Sequence, residues 1–301
     1  MGPFGWLDWF GCATFRLRTR PGVTILLDAY LDRVPSAQQA DVGIDDITEA
    51  DWILVGHSHF DHLYGAERIA ARTGAVIVGS YESIRIMAGC GIPEEQLMPV
   101  SGGETIDLGH GITVRVLPSM HSCTWASDPM PPVDATCIGD TGLTYQQRRE
   151  LHGKLAENLS ALSDETRAHL IGALQGERGD GGALIYMIDT PAGSLLFQDT
   201  AGCWTHLLEH ERPTVAILAG AGRGHRDGEA YQGSTAEFVA EQTALLGQPN
   251  RLVLCHHDDW LPGFSHPTDT APIRAALARV APATTLVEIA YNDGHPILEQ
   301  G

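Results

Sequence analysis

The feature that most constrains this chain is a cluster of four metal-binding side chains within six residues. The cluster consists of His57, His59, Asp61 and His62. It follows a short apolar run at 52–55 that predicts a strand. Alternate side chains of an extended segment point the same way, so His57 and His59 address one point in space. Asp61 and His62 lie on a turn into the next segment and address a second point. Since imidazole and carboxylate are normal zinc donors, the cluster predicts a metal site at a strand end.

The rest of the first half alternates apolar runs with turns. The sequence predicts strands at 23–27, 75–78 and 112–117, and a helix at 65–73 that Gly74 ends. The second half predicts a hairpin at 183–197, strands at 214–218 and 251–254, a helix at 234–246 and a late strand at 285–290. This rhythm of strand, loop and helix predicts a layered α/β protein.

Three further candidate ligands come where predicted strands end. His121 follows the strand at 112–117, Asp199 ends the hairpin, and His256 follows the strand at 251–254. Each alone is more often a structural residue. Two metal ions need more donors than the first cluster offers, and loops beyond strand ends can converge on one ligand. Taken together, the three side chains therefore form a coherent set with the cluster.

These motifs resemble the metallo-β-lactamase superfamily. The resemblance rests on HSHFDH at 57–62, on the three later residues and on the motif ILLDAY at 25–30, in which Asp28 ends the predicted strand. The detail is closer to the lactonase-like and metal-dependent hydrolase branch, which includes proteins similar to ascorbate-6-phosphate lactonase. The resemblance covers nearly the whole chain except a segment at about 140–182. It implies a single domain over residues 1–301, folded as a four-layer αββα sandwich with the metals at the strand edge.

The resemblance also implies a binuclear site. One metal would be held by His57, His59 and His121. The second would be held by Asp61, His62 and His256, and Asp199 would bridge both. Zn²⁺ is the expected metal, with Mn²⁺ and Fe²⁺ as alternatives. Asp28 matches an acid that supports the ligands from behind, and a plain turn residue is the alternative interpretation.

The chain departs from the resemblance at three points. Members of this branch often carry histidine after the glycine of the first hairpin, where this chain has Cys12, so any role of that position stays open. The segment at 140–182 has no counterpart. The last ligand is either His256 or His257. The similar motif has His, one residue, two Asp and an aromatic residue, which favours His256.

The segment at 140–182 is predicted to be a helical insertion. Residues 144–174 carry Gln, Glu, Leu and Ala at helical spacing and predict two helices, with Ser163 and Asp164 available to cap the second. A glycine-rich linker follows at 176–182. The insertion is expected to cover the site or to form a contact in a homo-oligomer.

The predicted reaction is hydrolysis of a small ester, lactone or phosphodiester. Two metal ions lower the pKa of a bridging water enough to give hydroxide near neutral pH, and Asp61 would orient it. Six other side chains are candidates for the substrate pocket. His225, Tyr231 and His257 would protonate the leaving group, and Trp125, Trp204 and Trp260 would line an apolar pocket. Packing is the alternative role for each.

The amino-acid composition limits the classes of partner that the protein is expected to bind. The chain carries 19 Lys and Arg against 38 Asp and Glu, a net charge of −19, which repels phosphate backbones and disfavours nucleic acid. No apolar run of signal-peptide or membrane-spanning length is visible. The six cysteines are scattered without a CxxC pair, which favours reduced thiols in a cytoplasm. The expected partner is therefore a small-molecule substrate rather than nucleic acid or a membrane.

Three alternatives use the same fold differently. A nuclease needs a basic surface, against which the net charge argues. A mononuclear iron sulfur dioxygenase would give Asp61 and His62 a smaller part in metal binding. A diiron protein joined to a flavin domain is disfavoured, because the residues left over are too few for that domain. A member without metals would have to bury clustered His and Asp without a counter-charge, which is costly. Metal analysis distinguishes these cases.

Overall fold

The computed structural model of the protein describes residues 2–174 and 182–299. The strands up to the insertion are β1 (Pro3–Trp9), β2 (Phe15–Thr19), β3 (Thr24–Leu27), β4 (Trp52–Leu54), β5 (Val76–Ser80), β6 (Leu97–Val100), β7 (Thr105–Gly109) and β8 (Ile112–Pro118). The later strands are β9 (Leu184–Thr190), β10 (Gly193–Phe197), β11 (Gly202–Cys203), β12 (Val215–Ala219), β13 (His225–Arg226), β14 (Glu229–Ala230), β15 (Arg251–Cys255), β16 (Thr285–Leu286) and β17 (His295–Glu299). The helices are α1 (Phe60–Leu63), α2 (Ala66–Thr73), α3 (Tyr81–Gly89), α4 (Tyr145–Ser160), α5 (Asp164–Ala173), α6 (Thr205–Leu208), α7 (Thr235–Leu245) and α8 (Ala271–Val280).

Two sheets, each of seven strands within the described residues, form the centre of the fold. The first has the order β17-β1-β2-β3-β4-β5-β6, and the second has the order β16-β15-β12-β10-β9-β8-β7. In the first sheet, β3 to β6 pair in parallel and the other neighbours pair antiparallel. In the second sheet, β10, β12, β15 and β16 pair in parallel. Each sheet is therefore half parallel and half antiparallel.

The main hydrophobic core lies between the two sheets. It contains side chains of β2, such as Phe15, together with side chains of β8 and β10, such as Val114 and Phe197. The rings of Phe15 and Phe197 meet edge to face with centroids 6.4 Å apart. Along β8, buried and half-buried residues alternate, as expected of a strand with one face in the core. The alternation in the sequence thus places one face of β8 against the opposite sheet.

Helices cover the outer faces of both sheets. On the first sheet, Ile69 of α2 belongs to a buried cluster with Ile53 of β4 and Ile77 of β5. On the second sheet, Phe238 of α7 and Ile273 of α8 join the main core. This arrangement confirms the expected α/β class and the four-layer αββα sandwich.

Four strand ends bring the chain to one region of the sandwich. β4 ends just before the histidine cluster, and β8 ends shortly before His121. β10 ends just before Asp199, and β15 ends at the residue before His256. Because parallel strands of one sheet end on the same side, the loops after β10 and β15 emerge together. The fold thus collects the predicted ligands from distant parts of the sequence.

The predicted helical insertion is present as α4 and α5. Thr144 caps α4, and the Ser163 hydroxyl accepts a hydrogen bond from the Thr166 N–H at the start of α5. The predicted linker at 176–182 falls outside the described residues except for Gly182. The predicted homo-oligomer and single-domain boundaries stay predictions.

The predicted late strand at 285–290 is wrong beyond Leu286. β16 pairs with β15 over two residues only. The chain then leaves the sheet, and the Glu288 carboxylate lies 2.8 Å from the guanidinium of Arg274 on α8. The strand therefore ends earlier than β propensity alone predicts.

Two other expectations concern cysteines and membrane spans. All six cysteines are free thiols, as their scattered spacing predicted. Within residues 2–174 and 182–299, the structure contains no helix with the length and apolar character needed to cross a membrane.

One buried hydroxyl joins the two sheets beside the histidine cluster. The Tyr186 hydroxyl donates to the Val55 carbonyl oxygen at 2.8 Å and also lies 3.2 Å from the Val78 carbonyl oxygen. We expect Tyr186→Phe to lower the free energy of unfolding by about 1–2 kcal/mol, because it leaves a buried carbonyl without this donor. Urea unfolding measures the effect. Tyr81→Phe, at a residue 69% exposed, is the matched control and should change stability by less than about 0.5 kcal/mol. Equal stability of both variants would contradict the bridging role.

Candidate metal centre

The first group of donors consists of His57, His59 and His121. Their ring centroids are 4.6 Å apart in every pair, and their ligand atoms lie within 4.8 Å of one another. His57 is fully buried, and its Nε2 has no hydrogen-bond partner among the residues that the structure describes. A buried nitrogen without a partner is costly unless something else binds it. Three imidazoles facing one point fit a metal ion.

Local structure explains how these three rings meet. His57 lies three residues after the end of β4, and His59 is the extended N-cap residue of α1. His121 sits on the loop after β8, where its Nδ1 lies 2.9 Å from the Ser122 carbonyl oxygen and donates to it in the matching tautomer. The His225 ring fixes the same loop, with its Nδ1 2.7 Å from the His121 carbonyl oxygen. These contacts leave the Nε2 atom of His121 available for a ligand.

The second group consists of Asp61, His62 and His256. The Nε2 atoms of His62 and His256 are 3.1 Å apart. The Oδ2 atom of Asp61 lies 3.3 Å from the first nitrogen and 3.7 Å from the second. Neighbouring His257 faces away, because its ring stacks on Trp9 with centroids 4.4 Å apart. Of the two adjacent histidines, His256 is thus the one beside Asp61 and His62.

Asp28 orients His62. Its Oδ2 accepts from His62 Nδ1 at 2.6 Å, and its Oδ1 accepts from the Gly56 N–H at 2.8 Å. The carboxyl is fully buried, and the residue has a left-handed φ of 56°. The bond to Nδ1 fixes the ring and leaves Nε2 toward the second group, which is the geometry a supporting acid requires.

Asp199 lies between the two groups. Its Oδ2 is 2.6 Å from His57 Nδ1 and 3.1 Å from His62 Nδ1. Its Oδ1 is buried and has no hydrogen-bond partner among the described residues, so this oxygen is left to bind a cation. Gly56 is required here, because a Cβ atom at that position would overlap the Asp199 carboxylate.

The electrostatic environment around His62 favours positive charge. Burial raises the pKa of Asp28 to about 7 and also raises that of Asp199. Burial alone would lower the pKa of His62, but Asp61, Asp28 and Asp199 together raise it well above its ordinary value. Conversely, burial also opposes ionisation of Asp61, but His62 and His256 hold its pKa well below the ordinary value. The carboxylates therefore stabilise a cation, either as a proton on His62 or as a metal ion.

The other buried histidines favour the neutral form that binds metals. Burial, with repulsion from His62, His59 and His121, lowers the pKa of His57 well below its ordinary value. Burial lowers the pKa of His121 to about 3 and that of His256 to about 4, each with help from a neighbouring histidine. Neutral imidazoles beside ionised Asp61 form a nitrogen and oxygen donor set that fits divalent ions such as Zn²⁺.

A cavity of about 530 Å³ opens above these donors. His59, Asp61, His62, His121 and His256 lie in its wall. The insertion forms a roof, here meaning the cavity-lining side chains of α4, α5 and the residue after α5: His152, Leu155, Leu159, Arg167, Leu170, Ile171 and Leu174. The insertion therefore covers the predicted metal site, one of its two expected roles. The opposite wall adds Phe60, Trp260, Leu261 and Phe264.

The other predicted pocket residues divide between the cavity and the core. Trp260 lines the cavity as predicted, but the Trp125 ring packs on His225 and on the Arg148 guanidinium instead. Trp204 is 38% exposed and caps α6.

The candidate proton donors lie elsewhere. The His225 ring holds the His121 loop, and the His257 ring stacks on Trp9. Tyr231 faces a separate shallow pocket beside Arg226 and Glu241. Packing and loop positioning therefore explain these three side chains.

Two parts of the site were missed by sequence reasoning. The thiol of Cys12 lies 3.7 Å from His256 Nε2, and its signal was the cysteine where histidine is usual. Arg33 donates to Asp258 at 2.8 Å in a pair whose side chains are 1% and 3% exposed. Nothing in the sequence separates Arg33 from surface arginines, because its partner is 225 residues away.

Comparison with known proteins agrees with this geometry. Residues 23–152 match the family model described as a beta-lactamase superfamily domain. A UPF0173 metal-dependent hydrolase of Pyrobaculum arsenaticum is 40% identical over 116 residues, which are 38% of this chain and 50% of that protein. The chain spans about half the length of the curated relatives it matches.

Solved structures extend the likeness over the whole fold. Igni18, a metallo hydrolase from Ignicoccus hospitalis, superposes with a TM-score of 0.58 at 17% identity, covering 97% of this chain and 95% of that one. An isothiocyanate hydrolase from Delia radicum gut bacteria superposes with a TM-score of 0.56 at 14% identity, covering 96% and 97%. The class defined by fold and site is thus an α/β sandwich with metal donors at its strand edge. Over residues 23–152 the chain is thus similar in sequence to the beta-lactamase superfamily domain, and it shares its fold with these solved metallo hydrolases.

The supporting role of Asp28 can be measured. We expect Asp28→Asn to weaken metal binding at the group that contains His62 by roughly 10- to 100-fold, because an amide is a poorer acceptor for His62 Nδ1. Competition against a chromophoric chelator measures the affinity. The control is Asp32→Asn, whose side chain is 42% exposed and pairs with Arg68, and which should leave metal affinity unchanged. Equal affinities of the two variants would exclude this role for Asp28.

Proposed function

We propose that the protein is a metal-dependent hydrolase that uses two divalent ions, expected to be Zn²⁺, to cleave a small uncharged ester or lactone. The observation that carries the proposal is the pair of donor groups in the wall of an apolar cavity. His57, His59 and His121 would hold one ion. Asp61, His62 and His256 would hold the other, with Asp199 between them.

Bound divalent ions would polarise the carbonyl oxygen of the substrate and lower the pKa of coordinated water so that hydroxide forms near neutral pH. The protein's own groups set the geometry for that chemistry. Asp61 stays ionised and lines the cavity, so it can accept a hydrogen bond from the attacking water. His152 in the roof also lines the cavity and would be a candidate to protonate the leaving group, in addition to the three proton donors expected from the sequence.

The cavity lining favours an apolar substrate body. Leu155, Leu159, Leu170 and Ile171 face it from the roof, and Phe60 and Trp260 face it from the opposite wall. The guanidinium of Arg167 also lines the cavity but pairs with Asp164. A phosphodiester would therefore find little unpaired positive charge beyond the metals, which favours an uncharged carboxylic ester or lactone.

The alternatives fit the site less well. The net charge of −19 and the apolar lining of the cavity argue against a nuclease. A mononuclear iron enzyme leaves unexplained why Asp61, His62 and His256 converge within 3.7 Å. The six free thiols support a reducing compartment such as the cytoplasm.

Hydrolysis can be tested with a substrate panel. We expect the zinc-loaded protein to cleave p-nitrophenyl esters or lactones, and to cleave bis-p-nitrophenyl phosphate and nitrocefin poorly. His59→Ala should lower kcat/KM by at least about 100-fold, because it removes an expected ligand. Chelation should abolish the activity, and added Zn²⁺ should restore it.

The control for His59 is His206→Ala, an exposed histidine paired with Glu209. It should retain full turnover. A wild type inactive on the whole panel would count against the hydrolase, and an active His59→Ala variant would count against this metal site.

The roof predicts a preference for longer acyl chains. Each buried CH₂ contributes about 0.8 kcal/mol, or roughly fourfold in kcat/KM, so activity should rise from acetate toward hexanoate esters. Leu155→Ser should flatten this rise, because it places a hydroxyl in the lining. Leu151→Ser, on the same helix but outside the lining, should preserve it. Parallel slopes in the two variants would show that the roof does not contact the acyl chain.

A further inference from the structure

Cys12 places a thiol beside the second donor group. It lies in the turn between β1 and β2 and is fully buried. Its Sγ is 3.5 Å from His256 Nδ1, 3.7 Å from His256 Nε2 and 3.9 Å from Asp61 Oδ2. The ligand atoms of Cys12, Asp61 and His256 all lie within 4.8 Å of one another.

These distances match the edges of a metal coordination shell. Zinc bonds of about 2.0–2.3 Å in a tetrahedron separate the ligand atoms by roughly 3.3–3.6 Å. The described separations among Asp61 Oδ2, His62 Nε2 and His256 Nε2 are 3.1, 3.3 and 3.7 Å. The two from the Cys12 sulfur, 3.7 and 3.9 Å, are slightly longer than the tetrahedral range, so the thiol lies at the edge of the shell.

The backbone is built to hold the thiol in this place. Cys12 and His256 both have left-handed φ angles, 49° and 57°, which cost free energy in residues other than glycine. The His256 N–H donates to the Cys12 carbonyl oxygen at 2.9 Å, which ties the two turns together. The Cys12 N–H donates to Asp258, which Arg33 and the Tyr291 hydroxyl also bind at 2.8 and 2.6 Å. Simple packing of a small side chain needs none of this.

An unpaired oxygen in the adjoining donor group also points to a bound cation. The buried Oδ1 atom of Asp199, beside His62, has no hydrogen-bond partner among the described residues. A different buried thiol, that of Cys255, donates to backbone carbonyls of Gln198 and Asp199 instead. Cys12, and not Cys255, therefore places its thiol beside the donor atoms of the second group.

We propose that Cys12 is a protein ligand of the second metal ion, together with Asp61, His62 and His256. Binding releases the thiol proton to solvent and leaves a thiolate on the metal. The thiolate and the carboxylates of Asp61 and Asp199 carry three negative charges against four positive charges of two divalent ions. The sulfur donor makes the second site select Zn²⁺ over harder ions such as Mn²⁺.

Cobalt substitution tests the proposal without relying on activity. The metal-free wild type, Cys12→Ser and the matched control Cys203→Ser, at a buried cysteine in β11, are titrated with Co²⁺. A thiolate–cobalt charge-transfer absorption in the near ultraviolet should grow with the second equivalent in the wild type and the control. It should be missing in Cys12→Ser, which should also bind the second ion at least about 10-fold more weakly. A wild type without this absorption, or a Cys12→Ser variant that keeps it, overturns the proposal.

Zinc X-ray absorption on the wild type provides a test that needs no variant to fold. A sulfur shell at about 2.3 Å is expected beside nitrogen and oxygen at about 2.0–2.1 Å. A shell of nitrogen and oxygen alone overturns the proposal. Such a result would leave the hydrolase proposal intact, because the histidines and aspartates supply donors for two ions without the thiol.

Discussion

Buried negative charge that requires a positive partner is the constraint on which the centre of this protein depends. Asp28, Asp61 and Asp199 surround the His62 ring, and Asp28 and Asp199 are wholly inaccessible to solvent. Carboxylates taken out of water cost several kcal/mol each unless a cation compensates them. The raised pKa of His62 and the unsatisfied oxygen of Asp199 are two consequences of the same demand. Divalent ions satisfy it more completely than one proton does, which is why the geometry supports a metal centre.

The sandwich supplies the rigidity that such a cluster needs. Strands from both sheets end at the site, and the Tyr186 hydroxyl joins the sheets just before the histidine cluster begins. Backbone strain is also present at the site, since Asp28, Cys12 and His256 all adopt left-handed φ angles. The buried Arg33–Asp258 pair holds the Cys12 turn against the His256 loop. Strain of this kind persists only where surrounding contacts over-determine it.

The sequence predicted the local parts of this arrangement and missed the parts made by distant contacts. HSHFDH encodes its own geometry, because strand alternation and a following helical turn fix four side chains within six residues. His121, Asp199 and His256 were predictable as strand-end residues once the layered fold was expected. The proximity of Cys12 was not, because it depends on how two turns 244 residues apart pack together.

Tertiary packing also explains the remaining differences between the sequence predictions and the structure. The helices of the insertion were evident from spacing and caps, but only packing shows that they cover the cavity. β17 was missed, because five residues near the end of the chain carry too weak a pattern to reveal pairing with β1. The late strand ended early, because its pairing with β15 covers only two residues, which local sequence does not reveal.

Anomalous diffraction from zinc-soaked crystals, recorded on both sides of the zinc edge, tests the central claim most directly. The account predicts two peaks per chain, one among His57, His59 and His121 and the other among Asp61, His62 and His256. No peak at these side chains, or zinc bound only elsewhere on the acidic surface, would contradict it.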